Sequence, residues 1–172
     1  SGCIQGPNDS ILKPADANKM DYEIEVAMVI GKKGKNISED KAQDHVFGYC
    51  IVNDVSERSW QKERGGQWIK GKSIAGPCGP YLVTKNEIKD INNLNLSLDV
   101  NGERRQTGNT ERMIFSFNFL ISHISQFMTL YPGTVITTGT PAGTAMEMDV
   151  PKFLQPGDKL SLKVDQLGEQ NH

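Results

Sequence analysis

Asp21-Tyr22-Glu23-Ile24-Glu25-Val26-Ala27-Met28-Val29-Ile30-Gly31 alternates with a period of two. The pattern predicts a strand over Tyr22 to Ile30, closed by Gly31. Ile24, Val26, Met28 and Ile30 fall on one face, which must be core; Glu23 and Glu25 fall side by side on the other. Ala27 and Val29 continue that second face, so it is not simply open to solvent. Neighbouring carboxylates repel, and burial strengthens the repulsion. A divalent cation would relieve it. An exposed edge strand with an acidic outer face would show the same letters, and the two glutamates alone do not separate the readings.

Asp54 shifts the balance toward a site. It ends the apolar run Cys50-Ile51-Val52-Asn53-Asp54, where a predicted strand over Tyr49 to Asn53 meets a loop, a usual place for functional side chains. Glu23, Glu25 and Asp54 offer hard oxygen donors. Such a set suits Mg²⁺ or Mn²⁺, with Ca²⁺ a further option, rather than zinc. Arg58, Gln61 and Lys72 follow, polar groups suited to gripping a carboxylate, although ordinary surface residues would look the same. Thr137-Thr138-Gly139-Thr140-Pro141-Ala142-Gly143-Thr144 offers N–H groups and hydroxyls to an oxygen-rich ligand, or forms a tight strand-to-loop turn. It has neither the ending of a P-loop nor a GxGxxG fingerprint.

Around these residues the periodicities predict a sheet with few helices. Residues 1 to 20 read as an extended loop. Ser38 is expected to cap a short helix with Glu39 and Asp40 in its first turn, ended by Gly48. Leu94, Leu96, Leu98 and Val100 alternate into Asn101-Gly102, so a hairpin follows. One longer helix is expected over Phe115 to Phe127, with Phe117, Leu120, Ile121, Ile124 and Met128 on its apolar face. Strands over Val135 to Thr138 and Leu160 to Val164 complete a mixed α/β class dominated by sheet.

The 172 residues are 37% hydrophobic, enough for one globular domain with a real core. Nineteen basic against 21 acidic residues give a net charge of −2, which argues against a nucleic-acid binder. Lys32-Lys33-Gly34-Lys35 reads as a solvated turn. Cys3, Cys50 and Cys78 make no CxxC pair and fit a reducing compartment, with no disulfide framework and no zinc knuckle. No apolar run approaches the roughly 20 residues needed to span a bilayer, and no signal peptide is visible. The expectation is a soluble, cytoplasmic protein with no membrane partner. The chain opens Ser1-Gly2-Cys3 without an initiator Met, which reads as the middle of a protein.

Together these segments resemble the fumarylacetoacetate hydrolase family. The matching stretches are DYEIEVAMVIG (21 to 31), GYCIVNDVSERSWQ (48 to 61), GGQWIKGKS (65 to 73), VNGERRQTGNTERMIF (100 to 115), TGTPAGT (138 to 144), FLQPGD (153 to 158) and LGEQN (167 to 171). They cover nearly the whole chain in order. ERGGQWIKGK is most similar to the branch that hydrolyses 2,4-diketo-3-deoxy sugar acids, whose members are often labelled ureidoglycolate lyases.

The resemblance implies a β-roll, a homodimer, and one Mg²⁺ or Mn²⁺ per active site. It implies Glu23, Glu25 and Asp54 as metal ligands, Arg58, Gln61 and Thr140 as holders of the substrate's oxygens, and Lys72 as a catalytic group. The implied reaction is hydrolytic cleavage of the C–C bond of a 2,4-diketo acid (an acylpyruvate or diketo-deoxy sugar acid) to pyruvate and a carboxylic acid. The same 2-oxo acid chelate would serve an oxaloacetate decarboxylase, a 2-oxo-enoic acid hydratase or isomerase, or a ureidoglycolate lyase. An inactive metal-binding dimer scaffold is the non-enzymatic alternative. Residues 1 to 172 are expected to form a single catalytic domain lying after the family's N-terminal lid, since no segment here matches the lid's His-x-x-Glu pair. His45 lies in the predicted short helix, His172 is terminal, and His123 flanks an apolar helix face. The stretch after Lys72 reads about two residues shorter than in similar proteins.

Overall fold

In the computed structural model, residues 3–63 and 75–172 are described. In chain order they form β1 (Ile4–Gln5), β2 (Met20–Asp21), β3 (Ile24–Ile30), β4 (Val46–Asn53), β5 (Ser56–Glu57) and α1 (Arg58–Glu63). There follow β6 (Gly76–Thr84), β7 (Asn95–Val100), β8 (Glu103–Asn109), α2 (Phe117–Phe127), β9 (Val135–Thr137), β10 (Leu160–Val164) and β11 (Gly168–Asn171). A five-stranded sheet runs β1-β6-β4-β3-β9, a four-stranded sheet runs β11-β10-β7-β8, and β2 pairs with β5. Among the described residues, every pairing is antiparallel except β1 with β6. The result is the sheet-dominated mixed α/β class expected, a curled half-barrel with few helices.

The curl encloses one core. Ile24, Val26, Met28 and Ile30 from β3 meet Leu96, Leu98 and Val100 from β7 and Leu160, Leu162 and Val164 from β10. Alternation places β7's apolar residues inward, as read from sequence, and the hairpin turns at Asn101 and Gly102, both with positive φ (52° and 79°). α2 closes one side with Phe117 and Ile121 buried, and Ser116 accepts a hydrogen bond from Phe119 N at its start.

β3 is not an edge strand. It lies between β4 and β9, and all seven of its residues are buried. Ala27 and Val29, on the glutamate face, pack with Cys50 and Val52 in a second, smaller apolar cluster that Cys78 borders. This removes the acidic-edge reading of the opening motif.

Several boundaries differ from expectation. The predicted short helix is a 3₁₀ turn over Glu39–His45, and Ser38 makes no side-chain cap. The second strand begins at Val46 rather than Tyr49, so Gly48 lies inside it. A Cβ there would lie 2.2 Å from Val83 O, and only glycine lets β6 approach so closely. The long helix starts at Phe117, and Met128 lies past its end, 55% exposed. β6 and β11 escaped sequence reading because Gly76-Pro77-Cys78-Gly79-Pro80 and Gly168-Glu169-Gln170-Asn171 read as turn residues. Their pairing with β4 and β10 overrides that local preference.

Candidate metal centre and active site

The antiparallel register of β3 and β4 assembles the acidic trio. Ile24 pairs with Asn53, so the start of one strand lies beside the end of the other. Glu23 N donates to Asn53 Oδ1 at 3.1 Å and Asp54 N donates to Glu23 O at 2.9 Å. One carboxylate oxygen each from Glu23, Glu25 and Asp54 then lies within 4.8 Å of the others. Glu23 and Glu25 are only 6% and 3% exposed, and Asp54 is half-buried.

The Thr138–Thr140 loop closes over this end of β3. β9 pairs Thr137 with Ala27, and continuing that register sets Gly139 opposite Glu25. Gly139 N donates to Glu25 Oε2 at 2.7 Å. The residue has φ +91°, which a side chain would oppose. Thr138 Oγ1 donates to Val26 O at 2.6 Å and Thr140 Oγ1 to Ile24 O at 2.8 Å. The threonine hydroxyls that looked ready for a ligand therefore lace the loop onto β3.

Arg58 is no surface cation. Its guanidinium is buried, with Nε 2.8 Å from Asp21 Oδ2, Nη2 2.7 Å from Glu23 Oε1, and Nη1 3.1 Å from Gln61 Oε1. Burial alone would lower its pKa, but Glu23 and Asp21 outweigh that and raise it, so the group is always charged. Glu57, just before α1, is fully buried and accepts from Asn18 N, Lys19 N, Ser59 Oγ and Trp60 N, locking the start of the helix that carries Arg58 and Gln61.

Two important residues were not read from the sequence. Asp21 is fully buried and, besides Arg58, accepts from Tyr22 N, Ala145 N and Met146 N. Gln106 of β8 is buried too. Its Oε1 accepts from Ile24 N at 3.1 Å, while Nε2 donates to Thr140 Oγ1 at 2.9 Å and Pro141 O at 2.7 Å. Asp21 stood inside the decisive motif, and Gln106 inside VNGERRQTGNT. Only position in those motifs could have flagged them. Tyr22, buried beside Asp21, donates to Gly143 O, and burial followed by Asp21's charge pushes its pKa up to about 12.

Lys72 and most of the ERGGQWIKGK stretch lie outside the described residues. His45 Nδ1 contacts Lys32 O, and His123 stacks on Phe119 and meets the edge of Phe127, so both have structural partners.

The trio fits a hard divalent cation. Its donors are all carboxylate oxygens, they converge from two strands, and their close like charges favour a counter-ion of charge two. Glu23 and Glu25 are oriented by Arg58 and Gly139 N–H, the kind of surrounding hydrogen bonds that position metal ligands.

The chain belongs to the fumarylacetoacetate hydrolase family: the family model for the fumarylacetoacetate hydrolase C-terminal region matches residues 2–172. A protein of Burkholderia cenocepacia strain J2315, whose name assigns it no more than hydrolase class, is 52% identical over 170 residues, which is 97% of this chain and 60% of the relative. The fumarylacetoacetate hydrolase of psychrophilic Exiguobacterium antarcticum superposes with a TM-score of 0.93 at 40% identity, covering 99% of this chain and 62% of that one. Maleylpyruvate hydrolase of Sphingobium sp. SYK-6, solved with manganese(II) and pyruvate, superposes with a TM-score of 0.86 at 30% identity, covering 99% and 60%. Isomerases of 2-hydroxyhepta-2,4-diene-1,7-dioate are among the other structural neighbours. The chain thus spans about 60% of the length of the relatives it matches. Among the described residues, no helix is long and apolar enough to cross a membrane.

Proposed function

We propose that this chain is the catalytic domain of a divalent-metal-dependent hydrolase that cleaves the C–C bond of a 2,4-diketo acid, giving pyruvate and a carboxylic acid. The observation that carries the reading is the convergence of Glu23, Glu25 and Asp54 within 4.8 Å, two of them buried. Manganese and pyruvate in the Sphingobium neighbour support it.

Glu23, Glu25 and Asp54 would hold Mg²⁺ or Mn²⁺. When bound, such a cation supplies positive charge to the oxygens of a 2-oxo acid and to the charge that builds as the C3–C4 bond breaks. The chain's own residues set the stage. Arg58 fixes Glu23 and, with Gln61, orients the substrate carboxylate. Gly139 N–H fixes Glu25, and Thr140, its hydroxyl held by Ile24 O and Gln106, is assigned to binding a substrate oxygen. Lys72 balances developing negative charge. Water adds its oxygen to C4, the C3–C4 bond breaks with its electron pair going to the pyruvate unit, and one proton of the water ends on C3 while the other stays with the new carboxyl group.

The isomerase neighbours favour a second reading, proton transfer on a 2-hydroxydienoate without C–C cleavage. Following the enol absorbance of an acylpyruvate while assaying for pyruvate separates the two. Loss of absorbance with stoichiometric pyruvate, dependent on Mg²⁺ or Mn²⁺ and stopped by EDTA, is the expected result. Metal-loaded protein that rearranges a 2-hydroxydienoate but releases no pyruvate would replace hydrolase with isomerase.

A further inference from the structure

Cys50 and Cys78 face each other across β4 and β6 with their Sγ atoms 3.4 Å apart. Cys50 is buried, whereas Cys78 is partly exposed. Cys78 pairs with Val52, which pairs with Glu25, so the thiols share the sheet face that carries the acidic site. Cys50 is offset from Cys78 by two positions along β4, beside the register irregularity between Tyr49 and Ile51. Neither thiol has a role in the proposed reaction.

We propose that Cys50 and Cys78 form an oxidant-responsive dithiol, which hydrogen peroxide converts to a reversible intramolecular disulfide. The accessible partner reacts first: Cys78 thiolate attacks one peroxide oxygen, the O–O bond breaks, and hydroxide leaves and takes up a proton. Cys78 is then a sulfenic acid. Cys50 loses its proton as its sulfur attacks that of Cys78; the S–O bond breaks and the hydroxide leaves as water. Two thiols and one peroxide give one disulfide and two waters.

The local chemistry divides the roles in this way. The hydrogen bond between the two sulfurs holds the Cys78 thiol down to about 7, against the opposing effect of burial, while that same contact and then burial push Cys50 up. Cys78, the more exposed thiol, is thus the one that meets peroxide, and buried Cys50 is the resolving thiol. Bond formation closes the sulfurs from 3.4 Å to about 2.05 Å. Cys3 has no such partner among the described residues: it lies just before β1 and contacts β6 through its carbonyl, to Gly76 N.

Peroxide treatment of the intact chain at neutral pH, followed by thiol counting in denaturant and peptide mapping, tests the assignment. The expected product has one thiol left, a mass lower by two hydrogens, and a Cys50–Cys78 crosslink that dithiothreitol removes. Cys50→Ser is expected to accumulate Cys78 sulfenic acid, trapped by dimedone at least ten times faster than Cys3. Oxidation of Cys3 while Cys50 and Cys78 stay reduced would overturn the proposal, as would equal trapping of Cys78 and Cys3. Because the readout is thiol chemistry, its failure leaves the proposed hydrolase activity untouched, and the reverse also holds.

Discussion

Arg58 and Asp21 form a buried ion pair, Nε to Oδ2 at 2.8 Å, with side chains 5% and 0% exposed. Through the same guanidinium the pair reaches Glu23, so a residue outside the acidic trio determines where one of its members points. Asp21 also gathers the N–H groups of Ala145 and Met146. One carboxylate thereby ties α1, β2 and the segment after the Thr138–Thr140 loop to one another.

Removing that carboxylate leaves Arg58 Nε and the N–H groups of Tyr22, Ala145 and Met146 buried without their acceptor, with Glu23 as the guanidinium's remaining carboxylate. Asp21→Ala is expected to cost about 3–5 kcal/mol in urea unfolding, the range for breaking one side of a buried pair. Asp21→Asn, which keeps an oxygen for the backbone donors, should cost less. A loss below about 1 kcal/mol for the alanine variant would show that Arg58 finds an equal partner elsewhere.

Asp54 is half-buried at a strand end, so its truncation should spare the fold and remove a metal ligand. Asp54→Ala is expected to weaken Mn²⁺ binding by more than roughly 100-fold, beyond the effect of losing a supporting hydrogen bond, and to abolish turnover. Paramagnetic resonance of free Mn²⁺ reads the first and pyruvate release the second. An active Asp54→Ala protein without bound metal would sink the proposed mechanism. Lys72→Met should instead retain Mn²⁺ and slow turnover by roughly 100-fold; unchanged turnover would remove Lys72 from the site.

Gln106 and Thr140 both satisfy the backbone of Ile24, the residue between the two glutamates. Gln106→Leu leaves Ile24 N–H buried and unpaired, and should cost about 1–3 kcal/mol. Thr140→Val, which withdraws the donor to Ile24 O, should fall in the same range. Because Gln106 also donates to Thr140, the double variant should lose less than the sum. Strict additivity in a double-mutant cycle would show that the two act separately.

Glu57 makes stability depend on acid. Burial raises its pKa, but the hydrogen bonds from Ser59, Trp60, Lys19 and Asn18 outweigh it and leave the folded value below the ordinary one. A group with a depressed folded pKa stabilises the protein above its unfolded pKa, here about 4.3. That contribution is lost as the pH falls from there through the folded value. Wild type should therefore lose more stability than Glu57→Gln over this interval, with the variant already weaker at pH 7. Parallel unfolding curves for the two proteins would reject this role.

The parts of the site that the sequence showed are those fixed by short-range geometry. Period-two alternation placed Glu23 and Glu25 on one face of β3 and its aliphatic residues on the other, and the apolar run before Asp54 marked a strand end. Motif resemblance then ordered nearly the whole chain into one family. The same local logic mistook Gly48 for the end of a helix, because nothing nearby shows that Val83 O will approach it to 2.2 Å.

Alternation, turn residues and the apolar count therefore determined the fold class, the core face and three carboxylates able to meet. Tertiary structure alone decided that they do meet, since the Ile24–Asn53 register joins segments about thirty residues apart. It also decided that Arg58 is anchored by Asp21, that Gln106 from β8 serves Ile24 across 82 residues, and that Cys50 lies against Cys78. The reason is physical. Which face a side chain takes follows from backbone periodicity within a few residues, whereas which groups pair depends on strand order and register, which the curled sheet fixes only when its core closes.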